Sequence, residues 1–171
     1  MDFTRTEAAQ DLSTLVGDIV DSVCTPQHHR DLDALDQRFD ETLWRTLIDA
    51  GVLGAAAPEA LGGAGFGVLE QTAVLTALGR QLAAVPYLDS TVLGAGAMDR
   101  SATHGLRQDW GAPAIAGEKV LTVALDGETG QGPVRAASSD RGYLLTGSRT
   151  QVPFGPIADA FLVPADTDTG T

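Results

Sequence analysis

The sequence places few reactive side chains at spacings that support chemistry. His28 and His29 are adjacent, so on a regular element they point apart and make a poor metal chelate. After the glycine-rich segment 55–67, Val68 stands where a dinucleotide-binding fingerprint requires its third glycine. The single lysine, Lys119, lies in the run Gly-Glu-Lys-Val and forms no phosphate-binding P-loop. We therefore predict no metal site and no nucleotide loop of these types.

Nucleophilic catalysis also lacks its usual residue patterns. The sequence has no Gly-x-Ser-x-Gly elbow, and residues 138–140 (Ser-Ser-Asp) are typical of a turn between strands. The single cysteine, Cys24, has no second cysteine to pair with, and we interpret it as a small apolar residue near a helix end. We interpret Glu59, Glu70 and Glu128 as solvated or structural carboxylates. No residue is therefore assigned as catalytic.

The charge balance excludes several classes of partner. The 171 residues contain 11 Lys and Arg against 23 Asp and Glu, a formal net charge of −12. Nucleic acids and anionic membranes bind clustered cations, so we predict neither as a partner. The longest uncharged run, residues 60–69, is shorter than a membrane-spanning helix. Five acidic residues among the first 25 argue against a secretory or transit peptide, and we predict a cytoplasmic protein.

Helical periodicity dominates the first two thirds of the chain. Thr4 and Glu7 form a capping box before an amphipathic helix that should stop before Pro26, and a polar connection follows. Asp40 can cap a second helix that ends at Gly51. Further helices are predicted over residues 68–82, 91–98 with Ser90 as the cap, and 104–115. Residues 55–67 form a loop between the second and third helices.

After Gly117 the apolar pattern changes to short alternating runs. Strands are predicted over residues 120–125, 134–137, 142–146, 149–153 and 158–163. The expected fold class is α+β, an N-terminal all-helical bundle over residues 1–117 followed by a partial antiparallel β domain over residues 118–171. The β part stops directly after a good strand without completing a sandwich, so we expect that it is cut short.

The order of the segments resembles the front half of the acyl-CoA dehydrogenase family. The loop PEALGGAGFG is similar to the family's P-E-x-x-G-G-x-G segment, and IAGEKVLTVAL is similar to the strand before its flavin-contacting turn. The stretch YLLTGSRTQVPFGPIADAFLV resembles the family's G-x-K-x-x-I-[ST]-N-G-x-x-A-D pattern. The resemblance covers essentially the whole chain.

This resemblance implies a flavoprotein with a helical, a β and a second helical domain. FAD would lie between the β domain and the C-terminal helices. A carboxylate base would remove the α proton of an acyl-CoA thioester while the β hydride passes to the flavin. In most of the family that base is a glutamate in the C-terminal helical domain, which is absent here, so the resemblance places it beyond Thr171. We therefore expect the 171-residue chain alone to be inactive.

The resemblance also assigns cofactor and substrate contacts. The flavin-facing positions correspond to Leu125, Asp126, Gln151 and Pro153. Asp126 puts a carboxylate where the family has a neutral hydroxyl, and Pro153 has no N–H to donate. The acyl pocket corresponds to the fourth predicted helix.

That helix offers Val92, Leu93 and Gly96 to the substrate, and its small residues would leave room for a bulky acyl group. Close helix packing is an equally good explanation for them. The run VPYLDS resembles actinobacterial dehydrogenases of sterol or branched acyl-CoA breakdown.

Three functions follow from these observations. The first is a subunit or fragment of an FAD-dependent acyl-CoA dehydrogenase, working as a homo- or hetero-oligomer with electron-transfer flavoprotein as a possible acceptor. The second is a non-catalytic partner subunit of a heteromeric dehydrogenase, which the altered flavin positions favour. The third is a flavin-dependent monooxygenase or oxidase of the same fold.

Overall fold

The computed structural model of the protein describes residues 4–125, 127, 132–140 and 142–168. Asp126, which the resemblance assigns to the flavin, lies outside the described residues. The α-helices are α1 (Glu7–Val23), α2 (Pro26–Asp33), α3 (Glu41–Asp49), α4 (Val52–Ala55), α5 (Val68–Arg80), α6 (Gly96–Ser101), α7 (His104–Leu106) and α8 (Ala112–Ile115). A π-helix, Tyr87–Ala95, leads into α6, and a second π-helical segment, Arg107–Gly111, joins α7 to α8. Short 3-10 turns cover Glu59–Leu61 and Gly155–Ile157.

The start of α1 is tied to the start of α5. The Thr6 hydroxyl accepts a hydrogen bond from the Ala9 N–H, so the cap is Thr6 and the predicted Thr4 cap is wrong by two residues. The same hydroxyl donates to the Glu70 carboxylate at 2.5 Å, and the second Glu70 oxygen accepts the Gly67 N–H. Glu70 is therefore a structural carboxylate, as the sequence predicts.

The predicted polar connection after Pro26 is instead helix α2. The N–H groups of the first helical turn have no partner within the helix, so the missing N–H of proline costs nothing there. Proline can therefore begin a helix as well as end one. Thr25 caps α2 by accepting the His28 N–H. The His28 imidazole then meets the Asp40 carboxylate at 2.6 Å, and Asp40 caps α3 as predicted by accepting the Leu43 N–H.

The main core lies among α1, α3, α4, α5 and the π-helix, and the largest contact between helices is that of α1 with α5. Its most deeply buried members are Val16, Val20, Leu43, Leu47, Val52, Leu53, Val74 and Tyr87. A second cluster joins the helices to the sheet, and it contains Ala57, Leu61, Ala95, Ala114, Ile115 and Leu121. This second cluster fixes the position of the sheet beside the π-helix.

The fourth predicted helix is confirmed as helical, but Ser90 does not cap it. Ser90 is fully buried inside the π-helix, and its hydroxyl accepts the N–H of Leu121 at 3.0 Å. The start lies earlier because the Pro86 carbonyl accepts the Ser90 N–H. A serine before an apolar run predicts a cap, whereas here its hydroxyl holds a strand of the sheet against the helix.

The strands are β1 (Leu121–Val123), β2 (Val134–Ser139), β3 (Gly142–Thr146), β4 (Ala160–Leu162) and β5 (Ala165–Asp166). The α+β class is confirmed, but the antiparallel prediction holds only for the β2–β3 hairpin. β1 pairs with β4 in parallel, with Leu121 opposite Ala160, and β2 pairs with β5 in parallel. The reason is that the hairpin lies within the connection from β1 to β4, which makes this connection a crossover instead of a turn.

The strand predicted over residues 149–153 is a loop. Gln151 and Phe154 have positive φ angles of 54° and 52°, which interrupt an extended run. The loop is held to β1 because the Thr122 hydroxyl donates to the Pro153 carbonyl at 2.6 Å. This contact brings residues 151–153 to the end of β1.

Candidate functional site

Four of the predicted contact residues line one cavity at the carboxyl end of β1, which we call the β1 cavity. Its volume is about 170 Å³. It is lined by Asp89, Leu93, Val123, Leu125, Gln151 and Pro153. The structure therefore brings Leu93, predicted for the substrate, together with Leu125, Gln151 and Pro153, predicted for the flavin.

Three local features build the cavity. The Ser90 hydroxyl bonds the Leu121 N–H and sets β1 against the π-helix. Gly94 allows this approach, since a Cβ on it would lie 2.8 Å from the Leu121 Cβ. Thr122 holds Pro153 from the other side. The walls are thus fixed by one helix, one strand and one loop.

Val92 and Gly96, the other predicted substrate residues, do not line the β1 cavity. Val92 packs against the main core. Gly96 is buried, and a Cβ there would lie 3.4 Å from the Arg100 guanidinium. The structure gives both residues packing roles, and their contact with substrate stays a prediction.

Asp89 and Val123 are the lining residues that sequence reasoning missed, and Asp89 is the charged one. Asp89 as a whole residue is only 8% exposed, and the other residues that line the cavity carry no charge. Burial raises the pKa of the Asp89 carboxyl, while a hydrogen bond from its own backbone N–H acts in the opposite direction. The available signal was its position four residues before Leu93, which places both on one face of a helix.

Few side-chain donors face a flavin ring from the described residues of the cavity. Pro153 has no N–H, and Gln151 supplies the one side-chain amide among the residues that line the cavity. Flavin contact by Leu125, Gln151 and Pro153 stays a prediction. The remaining walls suit a neutral apolar group.

Metal chemistry finds no support in the part of the chain that the structure describes. There, no group of three His, Cys, Asp or Glu residues is arranged to hold an ion. Cys24 is buried, and burial together with the nearby Asp40 carboxylate raises the pKa of its thiol. Within the same described ranges, no helix is long and apolar enough to cross a membrane.

Comparison with known proteins decides the family. The model of the acyl-CoA dehydrogenase N-terminal domain matches residues 6–118. The chain belongs to the acyl-CoA dehydrogenase family. The resemblance stated above is thereby confirmed, and with it the expected fold.

A curated relative and a solved structure, both from Mycobacterium tuberculosis, are similar to this chain over nearly its whole length. Acyl-CoA dehydrogenase FadE27 is 68% identical over 170 residues, which are 99% of this chain and 46% of FadE27. The crystal structure of the ChsE4-ChsE5 complex contains a chain with 68% identity and a TM-score of 0.97, covering 99% of this chain and 47% of that one. This acyl-CoA dehydrogenase chain thus spans about half the length of the curated relatives it matches.

More distant members of the family share the architecture. A variant of the Tcur3481-Tcur3483 steroid ACAD matches with 34% identity and a TM-score of 0.87, over 96% of this chain and 46% of that one. The glutaryl-CoA dehydrogenase of Mycobacterium smegmatis, solved in complex with FADH2, has the same fold at 18% identity and a TM-score of 0.82, over 95% of this chain and 43% of that one. That glutaryl-CoA dehydrogenase therefore binds the reduced flavin.

Proposed function

We propose that the chain belongs to a subunit of a heteromeric acyl-CoA dehydrogenase. The assembly would introduce an α,β double bond into a steroid acyl-CoA thioester and pass the hydride to FAD. The observation that carries this proposal is the TM-score of 0.97 and 68% identity to a chain of a two-component complex. The Tcur3481-Tcur3483 relative, named a steroid ACAD, supports the substrate class.

Within this assembly we assign the chain to the subunit that does not hold the reacting flavin. The β1 cavity supports this assignment, because Pro153, at a position that the resemblance assigns to the flavin, has no N–H to donate. Glu70 is engaged by Thr6 and Gly67 and is not available as a base. The base, FAD and the transfer of electrons to an electron-transfer flavoprotein are proposed to belong to the other subunit.

This chain's own residues would bind and orient the substrate. Leu93, Val123 and Leu125 offer apolar contact area, and Gln151 offers a hydrogen-bonding amide at the exposed edge of the cavity. FAD, when bound in the assembly, would supply the hydride acceptor. The role of this subunit is to exclude water from the acyl group and to fix its orientation.

The proposed division into a helical part, residues 1–117, and a β part, residues 118–171, is retained. The end of α8 at Ile115 and the start of β1 at Leu121 support it. The match of the family's N-terminal model, which ends at residue 118, also supports it. The second cluster packs Leu121 against helical residues, so the two parts share a core surface.

Co-expression tests the proposal. The protein made from its complete reading frame should form a stable complex with a second acyl-CoA dehydrogenase subunit, and the complex should reduce an acceptor dye with a steroid acyl-CoA. The protein purified alone should lack visible flavin absorbance and should be inactive. A lone homo-oligomer that oxidises acyl-CoA substrates would overturn the assignment to the flavin-free subunit.

A further inference from the structure

The β1 cavity joins a buried acid to an exposed rim. Asp89 is 8% exposed, whereas Leu125 is 59% exposed and Gln151 is also exposed. Leu125 and Gln151 are therefore the solvent-accessible part of the lining, and Asp89 is its buried part. Leu93 and Val123 provide apolar surface. This is the arrangement of a small ligand site, with mostly apolar walls and a few convergent polar groups.

The volume sets the size of the ligand group. An apolar protein cavity of about 150 Å³ is large enough to bind benzene. The β1 cavity, at about 170 Å³, is large enough for one six-membered ring with a substituent of one or two heavy atoms.

The polar groups set its chemistry. Asp89 has no cation among the residues that line the cavity, and burial favours its protonated form. A protonated carboxyl can donate to a carbonyl oxygen and accept from a hydroxyl, and the Gln151 amide can do the same. An anionic ligand group is disfavoured, because an ionised Asp89 carboxylate beside it would repel it. A neutral ring with one oxygen substituent satisfies both polar residues and the apolar walls.

We propose that the β1 cavity binds one ring of the acyl group through a neutral hydroxyl or carbonyl oxygen held by Asp89 and Gln151. This assignment rests on the proposed function, because it places the ring within the acyl part of the thioester. It makes Asp89 a specificity-determining residue that separates ring-bearing, oxygenated acyl groups from plain alkyl chains.

Small probes test the cavity independently of turnover. Ligand-observed NMR on the complete protein, in its complex with the second subunit, would compare cyclohexanol, cyclohexylamine and cyclohexane. We expect cyclohexanol to bind more tightly than either of the others. Loss of one hydrogen bond at Asp89→Leu should weaken cyclohexanol binding by about threefold to tenfold.

Variants localise the effect. Asp89→Asn keeps a donor and an acceptor and should bind cyclohexanol within about threefold of the original protein. Gln151→Leu changes a side chain at the exposed rim and should also weaken cyclohexanol binding. Asp18→Asn, an exposed site in α1, should change nothing. Circular dichroism of each variant establishes that the fold is kept.

Two results would overturn the inference. One is tighter binding of cyclohexylamine than of cyclohexanol, which would mean that Asp89 awaits a cation. The other is unchanged cyclohexanol binding in folded Asp89→Leu and Gln151→Leu proteins. If the complex dehydrogenates steroid acyl-CoA but gives either of these binding results, the proposed function is kept and only the proposed ring site is wrong. If cyclohexanol binds as expected but the complex does not dehydrogenate steroid acyl-CoA, the proposed function is wrong and the ring site is kept.

Discussion

Asp89 places a titratable group in an apolar surrounding without a compensating cation in the cavity. Transfer of a carboxylate from water into such a place costs free energy, and the protein reduces the cost by holding the proton more tightly. The group therefore couples the stability of the π-helix region to pH.

The pH dependence of stability should reveal Asp89. The ordinary pKa is 3.8, and the folded-state pKa is higher. Stability that depends on the protonated carboxyl is present below the ordinary value and is lost as the pH rises through the folded-state pKa. The asparagine side chain of the Asp89→Asn variant does not titrate. The free energy of unfolding of this variant should therefore rise relative to that of the original protein as the pH increases.

Urea denaturation over a pH series from about 4 to about 8 measures this difference. Asp18→Asn, an exposed position in α1, is the matched control for the loss of one carboxylate. A difference between Asp89→Asn and the original protein that stays constant with pH would show that the Asp89 carboxyl is not destabilised by burial.

Among the secondary-structure elements, the packing of the π-helix on β1 determines the shape of the β1 cavity. Gly94→Ala would place a Cβ 2.8 Å from the Leu121 Cβ and 3.0 Å from the Asp89 carbonyl. The backbone carbonyl cannot move aside cheaply, so we expect a loss of about 1 to 3 kcal/mol in the free energy of unfolding. Thermal or urea unfolding measures it.

Gly79→Ala is the matched control for Gly94. Gly79 lies exposed in α5, and a Cβ there meets no atom within 4 Å. Replacing glycine by alanine inside a helix should stabilise the protein by up to about 1 kcal/mol. Equal effects of the two substitutions would contradict the close contact between the π-helix and β1.

The Thr6 cap gives a prediction for the helix pair α1 and α5. Thr6→Ala removes the acceptor for the Ala9 N–H and the donor to Glu70. The lost cap alone should cost about 1 kcal/mol in the free energy of unfolding. Thr14→Ala, an exposed position in the same helix, should be within about 0.5 kcal/mol of the original protein. A neutral Thr6→Ala would show that the ends of α1 and α5 are not coupled.

The sequence predicts the elements better than their contacts. The N-cap of α3 and the start of α5 follow from local residue chemistry, because Asp40 accepts the Leu43 N–H of its own helix and the glycine-rich loop ends at residue 67. Ser90 is misread because its partner, Leu121, lies 31 residues away. The loop at Gln151 is misread because its left-handed backbone comes from tertiary contacts that no local pattern encodes.

The site follows the same division. Family resemblance selects Leu93, Leu125, Gln151 and Pro153, and the structure brings all four to the β1 cavity. The sequence does not identify Asp89 as a site residue, because the burial of its side chain depends on the packing of the π-helix on β1. Glu70, by contrast, is correctly predicted as structural, and the hydrogen bond from Thr6 lowers the pKa of its carboxyl.

The net charge of −12 bears on the assembly as a whole. Coenzyme A and FAD carry phosphates, which need cations, and this chain is strongly acidic. Under the proposed function the other subunit supplies most of these cations. The two subunits would then complement each other in charge as well as in chemistry.

The flavin content of the purified assembly tests the central claim most directly. If the β1 cavity takes a substrate ring in place of a flavin, the complex should contain one FAD for every two dehydrogenase subunits, as measured from flavin absorbance against subunit mass. One FAD for each subunit, with this protein retaining its share after separation from its partner, would contradict the account.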